Sequence, residues 1–103
     1  MATVHPVTAY NYQFHGGANG YQGNRAIVRL QNGNASVAYV HFVPTGKPIP
    51  ADTDAPPWIR MYLPESQLPA VIDMLRNESP ISVCYTAGSG FLLTGNEPIG
   101  EGE

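Results

Sequence analysis

Residues 25–43 read RAIVRLQNGNASVAYVHFV, and the pair Asn32-Gly33 at their centre decides how the chain folds. Two β-rich runs flank a dipeptide that favours the left-handed backbone, the preferred centre of a two-residue hairpin turn of type I′. With that turn, Gln31 faces Asn34, Leu30 faces Ala35, Val28 faces Val37 and Ala26 faces Tyr39. Alternation then sends Ala26, Val28, Leu30, Val37, Tyr39 and Val43 to a core face. Arg25, Ile27, Arg29, Ser36, Ala38, Val40 and Phe42 fall on the other side, which is too apolar for a freely solvated surface. That side is expected to be covered by the N-terminal strand, by a helix, or by a second copy of the chain.

Upstream, TAYNYQF (residues 8–14) alternates Thr8, Tyr10, Tyr12 and Phe14 with smaller or amide residues, the period of a strand with aromatics on one face. The glycine-rich HGGANGYQGNR (residues 15–25) joins it to the hairpin and reads as a flexible connection. Downstream, residues 44–57 hold five prolines without periodicity and read as a long surface loop. WIRMYL (residues 58–63) alternates again, with Trp58, Arg60 and Tyr62 on one side.

In PESQLPAVIDMLRNESP, Leu68, Val71, Ile72 and Leu75 recur at helical spacing, with Ser66 as N-cap, Pro69 in the first turn, and Asn77 and Pro80 at the end. ISVCYTA and FLLTG, joined through Gly88-Ser89-Gly90, read as a closing hairpin. The expected fold is α+β, an antiparallel sheet of five or six strands with one helix on a face, in the order β-β-β-β-α-β-β. A small OB-like barrel is the alternative, since that fold also places a helix between late strands. Residues 1–7 are expected to form a flexible N-terminus, 8–95 a single domain, and 96–103 a flexible acidic tail.

Charge narrows the partners. The chain has eight acids against five Lys and Arg, and Glu97, Glu101 and Glu103 account for the whole excess of three. The body is formally neutral, and Arg25, Arg29, Lys47, Arg60 and Arg76 are too few and dispersed for coating duplex nucleic acid. Charged residues make up only 13% of the chain, against roughly 25% in globular proteins. A lone cysteine excludes an intramolecular disulfide and a cysteine-rich zinc site, which suits a reducing compartment. No leader-like start or bilayer-length apolar run is present, so a cytoplasmic location without membrane contact is the expectation.

Catalytic motifs do not assemble. A phosphate loop needs a strand before its glycines and a helix after them, and a β-run follows Gly17, Gly20 and Gly23 instead. His15-Gly16-Gly17 has no nucleophile elbow to serve. Cys84 within ISVCYT reads as a small core residue rather than a thiolate paired with His15 or His41. Asp52 and Asp54 have the separation to hold a divalent cation, but two acids in a proline-rich loop are ordinarily solvated. His41 reads as a packed, hydrogen-bonded histidine.

The constellation that remains is aromatic and cationic: Tyr10, Tyr12, Phe14, Tyr21, Trp58 and Tyr62 with Arg25, Arg29 and Arg60. Such residues are enriched at subunit interfaces and also hold single-stranded nucleic acid by stacking. The leading expectation is a non-enzymatic, cofactor-free binding module that self-associates, as a homodimer, through an aromatic or apolar sheet face. Single-stranded nucleic-acid binding is the alternative. An enzyme with a small-ligand pocket beside the glycine segment ranks last.

Overall fold

The computed structural model describes residues 3–55 and 58–95. The strands are β1 (Thr3–Val7), β2 (Ala9–Phe14), β3 (Ala26–Asn32), β4 (Ala35–Val43), β5 (Thr53–Ala55), β6 (Trp58–Pro64), β7 (Ile81–Thr86) and β8 (Ser89–Thr94). Between β6 and β7 lies a 3-10 turn, Glu65–Gln67, that runs into helix α1, Leu68–Asn77. This is an α+β domain with one helix among the described residues, but the strands form two sheets instead of one, and neither closes into a barrel. Their orders are β1-β7-β8 and β2-β3-β4-β6-β5.

The division has a visible cause. Val7 and Ala9 belong to different sheets, and the turn between them at Thr8 is pinned where its N–H reaches Gln31 O at 2.8 Å and its hydroxyl accepts the Gly33 N–H at 2.8 Å. Residues 3–7, expected to be a flexible terminus, pair along their length with Ile81–Tyr85. Pro6 fits there because β1 is an edge strand, where a missing N–H leaves no ladder bond unmade. The acidic tail, residues 96–103, lies outside the described residues.

The sheet is also not wholly antiparallel: β6 runs parallel to β4, with Ala38 beside Ile59 and Phe42 beside Leu63. A parallel return requires a crossover of a dozen or more residues, which is what the long proline-rich connection supplies. It contributes the short edge strand β5 on the way back.

The β3–β4 hairpin forms, with two changes from the sequence reading. Asn32 pairs with Ala35, so the loop residues are Gly33 and Asn34. Gly33 takes φ +64° and Asn34 stays at ordinary negative φ, the signs of a type II′ turn. Beyond it, Gln31 pairs with Ser36 but Leu30 pairs with Ala38, which makes Val37 the extra residue of a β-bulge. Moving the turn by one residue leaves the faces as expected; the bulge exchanges them. Ala38, Val40 and Phe42 therefore join Ala26, Val28 and Leu30 in the core, while Tyr39 and His41 turn to the opposite side.

All layers close on one core. Ile59 and Met61 from β6, Leu68 and Val71 from α1, and Val83 from β7 pack with the hairpin's inner face. Ile72, Leu75, Tyr10 and Leu92 line its margin. The helix thus buries the residues its periodicity selects, though Ser66 sits in the 3-10 turn and no side chain caps α1. Because the helix and the smaller sheet share the inner side, the outer side of the five-stranded sheet is overhung only by loop residues between 19 and 24 and between 44 and 50, which leave hollows over it.

Candidate functional site

The open side gathers residues from three adjacent strands. In register, Tyr39 lies beside Arg60 and His41 beside Tyr62 across the parallel β4–β6 pair, and Arg29 lies opposite Tyr39 on β3. Trp58 shares that side two residues before Arg60. The guanidinium carbon of Arg60 lies 5.4 Å from the Tyr39 ring centre and 5.5 Å from that of Trp58, within cation–π range of both. Tyr39 and Trp58 meet edge to face at 5.5 Å, and His41 stacks on Tyr62 at 4.7 Å with 14° between their planes.

Its electrostatics are one-sided. Among the described residues the single salt bridge is Arg25 with Glu65 at 3.3 Å, so Arg29, Arg60 and Lys47 have no carboxylate partner. His41 is only 7% exposed. Its Nε2 lies 3.5 Å from Arg60 Nη1, and its Nδ1 is buried without a partner. Burial first, and the neighbouring Arg60 charge second, push its pKa down from 6.5 to about 4, so the ring is neutral at pH 7. The Arg29 Nε is likewise buried without a partner. Two hollows of about 560 and 710 Å³ flank this cluster and share Gln22, His41 and Arg60 as a common wall.

The expected site residues divide into four groups. Arg29, Trp58, Arg60 and Tyr62 come together on the open side. Tyr10, Tyr12 and Phe14 lie opposite Leu30, Val28 and Ala26, so they point to the inner side. Tyr10 is packed at the core margin, but Tyr12 and Phe14 are 48% and 65% exposed at the sheet edge. They form the wall of an apolar groove of about 650 Å³ whose far side is Leu68, Pro69 and Ile72 of α1. Tyr21 sits in the glycine loop with its ring 5.2 Å from His15.

Arg25 organises that loop: its Nη1 donates to the carbonyls of His15 at 2.7 Å and Gly17 at 2.8 Å, while its Nε reaches Glu65. The segment read as a flexible link is therefore a hydrogen-bonded turn, closed by reciprocal Tyr21–Asn24 backbone bonds at 2.9 Å. Tyr39, His41 and Lys47 are additions that the sequence reading did not place at the site. Tyr39 was assigned to the core because nothing in the pattern of β4 announces the bulge.

The remaining candidates have structural partners. Asp52 accepts the N–H groups of Tyr62 and Gly90, and Asp54 accepts the Thr3 hydroxyl. Cys84 is buried in β7, where desolvation raises its thiol pKa. Among the described residues no three His, Cys, Asp or Glu side chains gather as a metal site, and no helix is long and apolar enough to cross a membrane. No protein-family model, curated protein or solved structure matches the chain.

Proposed function

We propose that the protein is a non-enzymatic, self-associating binding module whose two copies join through β2. The observation that carries this reading is the free edge of that strand. The bond from His15 N to Arg25 O sets the hydrogen-bonding phase along β2, so the backbone groups of Tyr10, Tyr12 and Phe14 point away from β3. An exposed row of unpaired N–H and C=O groups templates another strand, and proteins ordinarily blunt such edges with proline, charge, shortness or a covering group.

The other three edges are blunted: β1 by Pro6, β5 by its three-residue length and Asp54, and β8 by Asp52 on the Gly90 N–H. AYNYQF has neither proline nor charge. The edge is self-complementary about Tyr12. An antiparallel copy centred there sets Tyr12 against Tyr12 of the partner subunit and Tyr10 against Phe14 of the partner subunit, each pair exchanging backbone bonds. On the other side of the new ladder, Asn11 faces Gln13 of the partner subunit, amide to amide. Aromatic rings at half exposure, over an apolar groove, then lose their solvent contact as an interface core requires.

Light scattering coupled to size-exclusion chromatography tests the proposal, with a dimer expected at micromolar concentration. Tyr12→Pro removes an outward N–H that β3 does not use, so the variant should keep its fold by circular dichroism and run as a monomer. A monomeric parent protein overturns the reading.

A further inference from the structure

We propose that the open side of the five-stranded sheet binds single-stranded nucleic acid, with phosphates on Arg29, Arg60 and Lys47 and bases against Tyr62 and Trp58. This goes beyond self-association and does not depend on it, since every residue invoked lies on one copy and on the side away from the β2 groove.

Charge is the first argument. The residues lining the two adjoining hollows include Arg29, Arg60 and Lys47, three of the chain's five cations, and no carboxylate. A chain of net charge −3 has thus placed a purely cationic concavity on one side, and an anion is the complement that it lacks. Unmet hydrogen-bonding capacity is the second. Arg29 Nε and His41 Nδ1 are buried polar atoms with no partner within the protein, and both residues line the same hollow. Both atoms are closed off from solvent, so they give the hollow a polar wall, and the Arg29 guanidinium beside it makes no hydrogen bond among the described residues.

Aromatic neighbours separate a nucleic acid from a simple anion. Arg60 lies over the rings of Tyr39 and Trp58, and Tyr62 lines one hollow with Arg60 and Lys47. Flat rings beside a positively charged groove suit unstacked bases joined by phosphates. Duplexes offer no free base face, and three cations are too few to hold one by phosphate contacts alone.

Trp58 is the chain's single tryptophan and packs against Arg60 and Tyr39 of the hollows' walls, so its fluorescence reports on their surroundings. The wild-type protein is titrated at low salt with decathymidylate and with thymidine monophosphate, and the same labelled decamer is followed by anisotropy. The expected result is quenching and an anisotropy rise with the decamer, weakened by added salt, and at least about tenfold weaker binding by the Arg29→Gln/Arg60→Gln variant. Phe14→Pro, at a β2 edge residue that lines neither hollow, should run as a monomer and bind the decamer per chain as the parent does, which keeps this test independent of the dimer. Equal binding of the mononucleotide overturns the single-strand assignment in favour of a free nucleotide. No anisotropy change, or binding that survives loss of both arginines, overturns the site.

Discussion

Asp52 Oδ2 accepts the Gly90 N–H at 2.8 Å across the seam between the two sheets. Its other oxygen accepts the Tyr62 N–H at 2.9 Å, so one loop carboxylate closes the edge of β8 and the stretch of β6 that β5 leaves uncovered. An acid that sequence spacing offers as a cation ligand acts here as a staple. Asp52→Ala leaves both partly buried donors unpaired and should cost about 2 to 4 kcal/mol, measured as a lower urea midpoint. Asp52→Asn should cost less, because its amide oxygen still accepts one of the two bonds.

The glycine loop makes a second prediction. A Cβ on Gly20 would sit 2.0 Å from the Asn24 carbonyl oxygen, at φ +64°, where the chain closes on itself. Gly20→Ala should therefore destabilise the protein by more than about 1 kcal/mol. Gly23 has φ +79° but nothing within 4 Å of its would-be Cβ, so Gly23→Ala bears only the backbone strain. Thermal melts of the two variants should rank Gly20→Ala as the less stable.

His41 sets a pH dependence. The unfolded chain protonates this residue near pH 6.5, whereas the folded protein resists protonation until about pH 4. Between those values the unfolded state binds more protons, so stability rises with pH. The contribution is complete above pH 6.5 and is lost as pH falls toward 4. Glu65, whose carboxyl is held below its ordinary 4.5 chiefly by the Thr45 hydroxyl, adds its own loss only at lower pH. Urea midpoints from pH 7 to pH 5 should fall for the parent protein and stay flatter for His41→Gln.

Elements that local pattern controls were legible in the sequence. Alternation in TAYNYQF and WIRMYL marked strands, and the spacing of Leu68, Val71, Ile72 and Leu75 marked the helix and the side it buries. The parallel return of β6 was hidden because the residues of a strand do not state which neighbour it takes. The bulge at Val37 mattered most. Reading β4 straight through placed Ala38, Val40 and Phe42 outside and made both sides of the hairpin look apolar.

With the bulge, those residues enter the core and the outer side becomes Arg29, Tyr39 and His41. One uncounted residue thus turned a polar, cationic surface into a seeming apolar one. The exposed apolar surface accordingly lies not on the hairpin but at the edge of β2, with Tyr12 and Phe14. Arg25 was legible as a contact residue but not its partners, the loop carbonyls, which sequence separation alone does not bring together.

The pairing of β2 with itself is tested most directly by a mixed-disulfide experiment. In the register centred on Tyr12, Asn11 and Gln13 of the partner subunit form a non-hydrogen-bonded pair, with Cα atoms about 4.5 Å apart and within disulfide reach. Cys84 is only 2% exposed and stays out of the reaction. Equal amounts of Asn11→Cys and Gln13→Cys protein, mixed and oxidised, should yield a covalent dimer on a non-reducing gel, while either variant alone stays monomeric there. A mixture that cross-links no more than its separate components contradicts the account.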